Sequence, residues 1–353
     1  MAGLTALTLV ATAATPSTQA RDAGSEPDTS PRGTSAAIAV LDRVVEAART
    51  TAYDGRVVVA TFSERGPAVD EMAITQDPDG ELRVRRGDVW ELGRVAGEAY
   101  LRSEPDTLLR LSGVERTPFE LDRLLRKYAP DLVGTVDLDT GPATLVRLTE
   151  RETGAVRERL YVDLDTELVV RRETFDRDGE AVRVLGFTRL DAHEDRVVRP
   201  DGDELDVEQR ALTRGDVADL RAQDFLVEES LPAGYVLVEA HTVEAASVPT
   251  LHMVYSDGLY ALSLYQQQGR LATSAVQGAA RLTTDAGGHV WRWPGSEPRR
   301  VVWTGDRLTF TALTDAPTEE LLTVAGGLPT SRSPSILDRL ARGLSRVGEW
   351  LTG

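Results

Sequence analysis

Residues 160–180 read Leu-Tyr-Val-Asp-Leu-Asp-Thr-Glu-Leu-Val-Val-Arg-Arg-Glu-Thr-Phe-Asp-Arg-Asp-Gly-Glu, and this stretch decides the fold class. It holds two runs rich in β-branched and aromatic residues, separated by a turn at Asp165-Thr166, and it closes with the turn sequence Asp176-Arg-Asp-Gly179. Such runs favour strands, and such turns favour tight reversals between neighbouring strands. The stretch therefore predicts consecutive hairpin arms of an antiparallel sheet.

Apolar periodicity on both sides of this stretch predicts one large domain, residues 34–190. Residues 36–51 and 119–128 carry apolar residues at helical spacing, whereas the segments around them have the pattern of strands. The predicted strands are residues 56–62, 69–75, 82–85, 89–95, 99–102, 108–111, 144–149, 157–163, 168–175 and 181–188. This order of elements predicts an α+β fold in which a curved antiparallel sheet, a half-barrel, is closed by helices.

The inward positions of the predicted half-barrel include Val57, Val59, Val146 and Leu160. These side chains suit a packed core, and the same residue types suit an apolar groove that binds a lipid. Both interpretations stay open at this point, and we take the four residues as lipid-groove candidates.

A change of composition predicts a second domain. Residues 191–222 are strongly acidic around Pro200-Asp-Gly-Asp-Glu204 and show little apolar patterning, which predicts an acidic interdomain linker. Residues 223–330 then predict a smaller α+β domain that ends in a helix over residues 317–325. Its predicted strands are residues 235–242, 251–256, 259–266, 290–293, 300–304 and 307–312.

The N-terminal residues predict export. A short apolar run from Leu4 to Ala14 is followed by small residues, so residues 1–20 are predicted to be a signal peptide. Residues 21–33 are rich in Ser, Pro, Gly, Thr and Asp and predict a disordered linker. We therefore expect a protein that is soluble and periplasmic or otherwise extracytoplasmic.

The C-terminal residues 331–353 predict a terminal amphipathic helix. One face is apolar, and the other carries Arg339, Arg342 and Arg346. A basic amphipathic helix can make peripheral contact with an anionic membrane. Terminal helices also dock on their own domain or on a partner, so both interpretations remain open.

Composition limits the classes of partner. The formal net charge is -17 and the chain contains no cysteine. Such a negative charge repels the phosphate backbone, which argues against nucleic acid as a partner. The absence of cysteine excludes disulfides, thiolate metal sites and thiol nucleophiles. Lys127 is the only lysine among forty basic residues, which we attribute to a GC-rich coding sequence.

Sequence motifs of catalysis are absent. The chain has no Walker loop, no nucleophile elbow, no zinc-protease motif and no dinucleotide-binding fingerprint. The four histidines, His193, His241, His252 and His289, lack the spacing of metal ligands, and we expect them to be surface or half-buried structural residues. The sequence therefore predicts a protein that is not an enzyme and that has no cofactor or metal.

Aromatic residues concentrate in the predicted second domain. Tyr255 and Tyr260 flank the turn at Asp257-Gly258. Aromatic side chains exposed on a sheet can anchor a partner, and they equally well fill the core of a small domain. We take Tyr255, Asp257, Gly258 and Tyr260 as the candidate partner-binding site, with the core interpretation open.

Several of these motifs resemble one known family. Residues 160–180 and the strand that leads to Phe187 resemble the end of the N-terminal domain of the RseB/MucB family of extracytoplasmic sigma-factor regulators. Leu231-Pro-Ala-Gly-Tyr235 resembles the start of the family's C-terminal domain, and Tyr255-Ser-Asp-Gly-Leu-Tyr-Ala-Leu-Ser263 resembles its central hairpin. Together with Tyr53-Asp-Gly-Arg-Val-Val-Val59, these motifs extend the resemblance over residues 36–328.

The resemblance implies both a fold and a function. It implies a LolA/LolB-like N-terminal domain over an apolar cavity. It also implies that the protein binds the extracytoplasmic part of a membrane-anchored anti-sigma factor and shields it from the site-1 protease until a lipid signal arrives. The C-terminal helix and the length of the acidic linker depart from the family pattern. A lipid or lipoprotein carrier without an anti-sigma partner is the alternative, but simple carriers end after the first domain.

Overall fold

Strands dominate the structure, a computed structural model. It describes residues 31–63, 66–87, 90–95, 98–104, 107–112, 121–192, 197, 203–212, 214–243, 250–284, 286–293, 299–305 and 307–329. Within these ranges the helices are α1 (Pro31–Thr50), α2 (Leu121–Lys127), α3 (Arg214–Ala222) and α4 (Thr318–Gly327). The mainly antiparallel α+β architecture predicted from the sequence is confirmed.

The first twelve strands form one open sheet, which we call the N-terminal sheet. Its strands are β1 (Tyr53–Ser63), β2 (Gly66–Gln76), β3 (Leu82–Arg86), β4 (Trp90–Val95), β5 (Glu98–Glu104), β6 (Thr107–Ser112), β7 (Tyr128–Leu138), β8 (Gly141–Glu150), β9 (Val156–Asp163), β10 (Val169–Phe175), β11 (Ala181–Ala192) and β12 (Asp203–Ala211). Their order is β12, β6, β5, β4, β3, β2, β1, β11, β10, β9, β8, β7, and the parallel pair is β12 with β6. The two hairpins predicted from residues 160–180 are confirmed as β9–β10 and β10–β11.

The remaining strands form the C-terminal sheet. They are β13 (Ser230–Leu231), β14 (Tyr235–Val243), β15 (Thr250–Ser256), β16 (Ala261–Gln268), β17 (Ala280–Thr283), β18 (His289–Arg292), β19 (Arg299–Gly305) and β20 (Leu308–Thr314). Their order is β13, β14, β15, β16, β20, β19, β18, β17, with every pair antiparallel. Helix α4 packs its buried Leu321, Val324 and Ala325 against the core of this sheet.

Strand β12 belongs to both sheets and corrects one expectation. Residues 203–208 pair with β6, and residues 209–211 pair with β14. The predicted acidic linker, residues 191–222, therefore contains a strand and the helix α3. Leu205 and Val207 alternate with acidic residues, and this period of two is the pattern of a strand. The high acidic content concealed that pattern.

Helix α1 confirms the first predicted helix but begins earlier. The apolar stripe predicted a helix over residues 36–51 capped by Thr34 or Ser35, whereas the helix starts at Pro31. Residues 31–33 of the predicted disordered linker are thus helical. Proline is favoured in the first helical turn, where its missing N–H has no partner to lose. The helix buries Ala37, Leu41 and Val44 against the N-terminal sheet.

Strand β7 was missed in the sequence analysis. The predicted helix over residues 119–128 is present as α2, but the chain enters β7 directly at Tyr128. Pro130, at the predicted end of the helix, lies inside β7 opposite Leu148. Because β7 is the last strand of the sheet, a residue without an N–H is tolerated there.

Two predicted segments lie outside the described residues. They are the signal peptide, residues 1–20, and the C-terminal helix, residues 331–353, with Arg339, Arg342 and Arg346. Among the helices that the structure describes, none is both long enough and apolar enough to cross a bilayer.

Candidate functional site between the two sheets

The turn between β15 and β16 carries most of the predicted partner-binding residues, and Asp257 organises it. One carboxylate oxygen of Asp257, Oδ1, accepts hydrogen bonds from the backbone N–H groups of Leu259 at 2.9 Å and Tyr260 at 2.7 Å. The other oxygen, Oδ2, accepts from Lys127 Nζ and from the Tyr128 hydroxyl, each at 2.7 Å. A single buried carboxylate therefore shapes the turn and also joins it to the N-terminal sheet.

Gly258 brings the same turn against helix α2. Its φ of +95° lies in the region that favours glycine. A methyl group added at Gly258 would overlap the backbone nitrogen of Leu124 and would lie 2.6 Å from Leu124 Cα. The two backbones can approach this closely only because residue 258 has no side chain.

The two tyrosines of the predicted site have different surroundings. Tyr260 donates its hydroxyl hydrogen to Glu158 Oε1 of β9 at 2.8 Å, so it bridges the two sheets. Tyr255 lies within the core of the C-terminal sheet and donates to the carbonyl of Glu228 at 2.9 Å. Both are buried, as are Asp257 and Gly258. Contact of these four residues with a partner remains a prediction, and it requires that the turn become exposed.

Around this turn, buried charges of opposite sign meet from the two sheets. We call this cluster the junction. The N-terminal side contributes Lys127, Arg157, Arg172 and Arg183, and the C-terminal side contributes Asp257, Asp315, Glu319 and Glu320.

Glu320 receives two cations at the centre of the junction. Lys127 Nζ lies 3.2 Å from Glu320 Oε1, and Arg157 Nη2 lies 3.3 Å from the same oxygen. The hydroxyl of Tyr235 donates to Glu320 Oε2 at 3.1 Å. Arg157 also reaches Glu319 at 3.2 Å. Lys127, Arg157 and Glu320 each have two partners of opposite charge, so the removal of one charged group weakens the network but leaves each of the others with a partner.

A second group of charges extends the junction across β9, β10 and β11. Arg172 forms a two-pronged pair with Glu158, with donor to acceptor distances of 3.0 and 2.9 Å. Its remaining nitrogen, Nη1, lies 3.4 Å from Asp315, and Arg183 Nη1 lies 3.6 Å from the same carboxylate oxygen. Charges on the face of the N-terminal sheet thus reach the end of β20.

Burial and charge oppose each other in the junction. Burial alone would lower the pKa of Lys127, but Asp257 and Glu320 more than offset it, so the pKa of the ammonium is raised. Burial raises the pKa of Glu320, against the opposing effects of Lys127 and Arg157. Burial also raises the pKa of Tyr128 and Tyr235 well above its usual value. Lys127 therefore carries its charge at neutral pH.

The lipid-groove candidates share one face of the N-terminal sheet. Val59 pairs with Leu185, Leu185 with Arg172, Arg172 with Leu160 and Leu160 with Val146, which places these side chains in one row across five strands. Val57 lies two residues before Val59 and is 1% exposed. Helix α1 contributes to the same core clusters: Ala47 belongs to the cluster of Val57 and Val59, and Leu41 belongs to the cluster of Val146 and Leu160. The four candidates are core residues here, and lipid contact remains a prediction.

Two histidines are more buried than the sequence analysis expected. His241 of β14 and His252 of β15 are directly paired, and His252 stacks on Tyr265 with ring centroids 4.2 Å apart. Both ring nitrogens of His252 lack a hydrogen-bond partner among the described residues. Burial, with a smaller effect of His241, lowers the pKa of His252 to about 3. The lack of a charged partner explains why the histidine is neutral.

The junction was missed in the sequence analysis, although one signal pointed to it. Lys127 is the only lysine in the chain, and it lies at the point where the two sheets meet. A GC-rich coding sequence accounts for the many arginines, but it does not account for a lysine at position 127, where the two sheets meet. Lys127 and its partner Glu320 are almost two hundred residues apart, so sequence spacing carried no signal for the pair.

The fold defines a class of two-part, β-rich proteins. A large, mainly antiparallel sheet is joined to a smaller antiparallel sheet with a packed helix, both through the common strand β12 and through a buried polar junction. No family model matches the chain, and no curated protein sequence matches it. Solved structures do match. The chain is 19% identical to a chain of the MucA/MucB complex of Pseudomonas aeruginosa, with a TM-score of 0.52, over 84% of this chain and 99% of that chain.

A structure of MucB alone matches equally well. It is 19% identical, with a TM-score of 0.52, over 83% of this chain and 98% of that chain. The chain therefore has an RseB/MucB-like fold, as the resemblance of its motifs predicted. A LolA-superfamily protein from Nitrosomonas europaea is 12% identical over 46% of this chain and 94% of that chain, at a TM-score of 0.22. That value does not establish a shared half-barrel.

Proposed function

We propose that this protein is an extracytoplasmic regulator that binds the exported segment of a membrane anti-sigma factor and so restrains an envelope-stress sigma factor. The observation that carries the proposal is the match to MucB over both sheets, at 99% of the length of the matched chain. MucB was solved in complex with MucA. The shared two-part fold supports a partner of the same kind for this chain.

The second sheet favours a regulator over a simple carrier. A carrier of lipids or lipoproteins needs one curved sheet with an apolar face, whereas this chain adds eight strands and α4 and joins them to the first sheet through buried charges. An extended peptide can bind along a sheet edge or in a cleft between two domains. The C-terminal sheet adds a further sheet edge, at β17, for such pairing.

A lipid is the second ligand that we propose, as a signal rather than as a cargo. The row from Val59 to Val146 is apolar except for Arg172, and its apolar members are buried in core clusters that also include residues of helix α1. An acyl chain would reach Val57, Val59, Val146 and Leu160 if α1 moved away from the sheet and the sheet curved around that acyl chain, as the half-barrel predicted from the sequence would. Lipid and anti-sigma segment would then be coupled, provided that each prefers a different arrangement of the chain.

Export and the absence of catalysis complete the proposal. An extracytoplasmic location agrees with the apolar leader predicted for residues 1–20. The polar groups of the junction engage each other in ion pairs and hydrogen bonds, and this arrangement suits a structural role better than turnover of a substrate. We propose that the protein acts by binding alone.

A calorimetric titration tests the proposed function. The chain without residues 1–20 is titrated with the extracytoplasmic segment of the anti-sigma factor encoded nearest to its gene, and a segment of scrambled sequence serves as the control. We expect binding with a Kd of about 1 µM or tighter, the range of a specific protein interface. Absence of binding, together with acyl lipids that copurify with the chain, would favour the carrier instead.

A further inference from the structure

The junction adds buried ion pairs to an apolar core cluster that includes residues of both sheets, and these ion pairs distinguish it from a contact that is apolar throughout. Four cations on the N-terminal side pair with four carboxylates on the C-terminal side, and Glu158 is a carboxylate of the N-terminal sheet that pairs with Arg172 within the same cluster. A contact that is never opened is stabilised best by apolar side chains, because buried ion pairs lose most of their attraction to the cost of desolvation. When such a contact opens, water replaces the lost partners.

The tyrosines of the junction also make polar contacts with its carboxylates. Tyr128 donates to Asp257 at 2.7 Å, Tyr235 to Glu320 at 3.1 Å and Tyr260 to Glu158 at 2.8 Å. Each hydroxyl is therefore directed at a carboxylate, and each can bond to water after separation. The packing of Gly258 on Leu124 depends on shape and not on apolar area. Apolar residues beside the junction, among them Leu124 and Leu259, belong to one core cluster that includes both sheets, so opening would also expose part of that core.

Strand β12 supplies the connection that survives separation. It pairs with β6 over residues 203–208 and with β14 over residues 209–211. The two sheets can therefore part at the junction while this strand keeps them attached. Only three residues of β12 pair with β14, so a change of angle there disturbs few hydrogen bonds.

From these observations we infer that the junction is a reversible latch, in which Lys127 holds Asp257 and Glu320 in the closed form and releases them when the two sheets part. Opening would expose the turn that holds Asp257, Gly258 and Tyr260. Exposure of this turn to a partner rests on the proposed function, but the opening of the junction does not. It is a property of the chain alone and is tested without a partner.

The single lysine makes the latch measurable. An acylating reagent that attacks neutral amines has two targets in the chain, Lys127 and the N-terminal amine, and peptide mapping separates them. The N-terminal amine serves as the internal reference for the reactivity of the reagent. Acylation of Lys127 is followed in increasing sub-denaturing urea, and global unfolding is measured by circular dichroism in the same solutions.

A latch predicts acylation through partial opening. The rate for Lys127 should be well below that of the N-terminal amine and should depend only weakly on urea, because opening the junction exposes much less surface than global unfolding does. If acylation of Lys127 instead follows global unfolding with the full urea dependence, the sheets form one rigid unit and the latch is refuted. Acylation as fast as that of the N-terminal amine would show that the closed junction does not form, which refutes it equally.

Two matched variants extend the test. Asp257→Asn removes a carboxylate from the latch, and we expect Lys127 to be acylated about tenfold faster or more in the absence of urea. Glu71→Gln makes the same kind of change in the exposed Arg56–Glu71 pair and should leave the rate within about twofold. Equal rates in the two variants would contradict the latch. A negative result of the titration with an anti-sigma segment would leave these outcomes unchanged, so the two proposals fail separately.

Discussion

Gly258→Ala tests the close approach of the two sheets most sharply, because the chain offers a matched control. Gly258 has a φ of +95° and Gly179, in the β10–β11 turn, has a φ of +81°. A methyl group at Gly179 meets nothing within 4 Å, whereas at Gly258 it overlaps the backbone of α2. Both substitutions strain the backbone, but only one also pushes the sheets apart.

The expected magnitudes follow from this difference. A non-glycine residue at positive φ costs about 1–2 kcal/mol, so Gly179→Ala should lower the free energy of unfolding by about that amount. Gly258→Ala adds the displacement of Leu124, which weakens the bonds of Lys127 and Tyr128 to Asp257. Loss of a buried, charge-assisted contact costs about 2–3 kcal/mol more. Urea unfolding of the two variants measures the difference, and equal losses in both would refute the close packing of the turn on α2.

Three further predictions concern buried polar groups. Lys127→Met should lower the free energy of unfolding by about 3 kcal/mol, because it leaves Asp257 and Glu320 without their ammonium partner. Glu71→Gln, in an exposed pair, should lower it by less than about 1 kcal/mol. Urea unfolding measures both variants, and similar losses would contradict a buried junction. Tyr260→Phe should lower the free energy of unfolding more than Tyr255→Phe does in the same assay, because Tyr260 donates to a carboxylate and Tyr255 to a backbone carbonyl. The reverse order would show that the hydrogen bond to Glu158 is weak. His252 has a pKa of about 3 in the folded chain and an ordinary value of 6.5 when unfolded, so the unfolded chain binds the extra proton and stability falls as pH drops below 6.5, by up to about 1.4 kcal/mol per pH unit. His252→Leu should remove this part of the pH dependence in urea titrations at pH 7 and pH 5, and an unchanged slope would show that His252 is not its source.

The hairpins of both sheets could be predicted from the sequence because their signals are local. Turn residues such as Asp176-Arg-Asp-Gly179 and the alternating runs beside them determine register over a few positions. The same signals failed where composition masked them. In β12 the acidic residues hid the alternation of Leu205 and Val207, and in β7 Pro130 suggested the end of a helix, although an edge strand tolerates proline.

The candidate site could be predicted only in part. The turn at Asp257-Gly258 was identified from its own residues, because an aspartate followed by glycine is a strong turn signal. Its partners lie far away in the sequence: Lys127 is separated from Asp257 by 130 residues. A pairing of that kind depends on how two sheets pack, and no local periodicity encodes it. The buried position of Tyr255 illustrates the same limit, since an aromatic residue suits a core and a binding surface equally.

We propose that the protein protects an anti-sigma factor by binding it. The most direct test is the rate at which the site-1 protease cleaves the extracytoplasmic segment of the neighbouring anti-sigma factor, with and without the chain. We predict that the chain, at a free concentration of about ten times its Kd, slows cleavage about tenfold, because the segment is accessible only while it is dissociated. Cleavage at the same rate with and without the chain would contradict the claim.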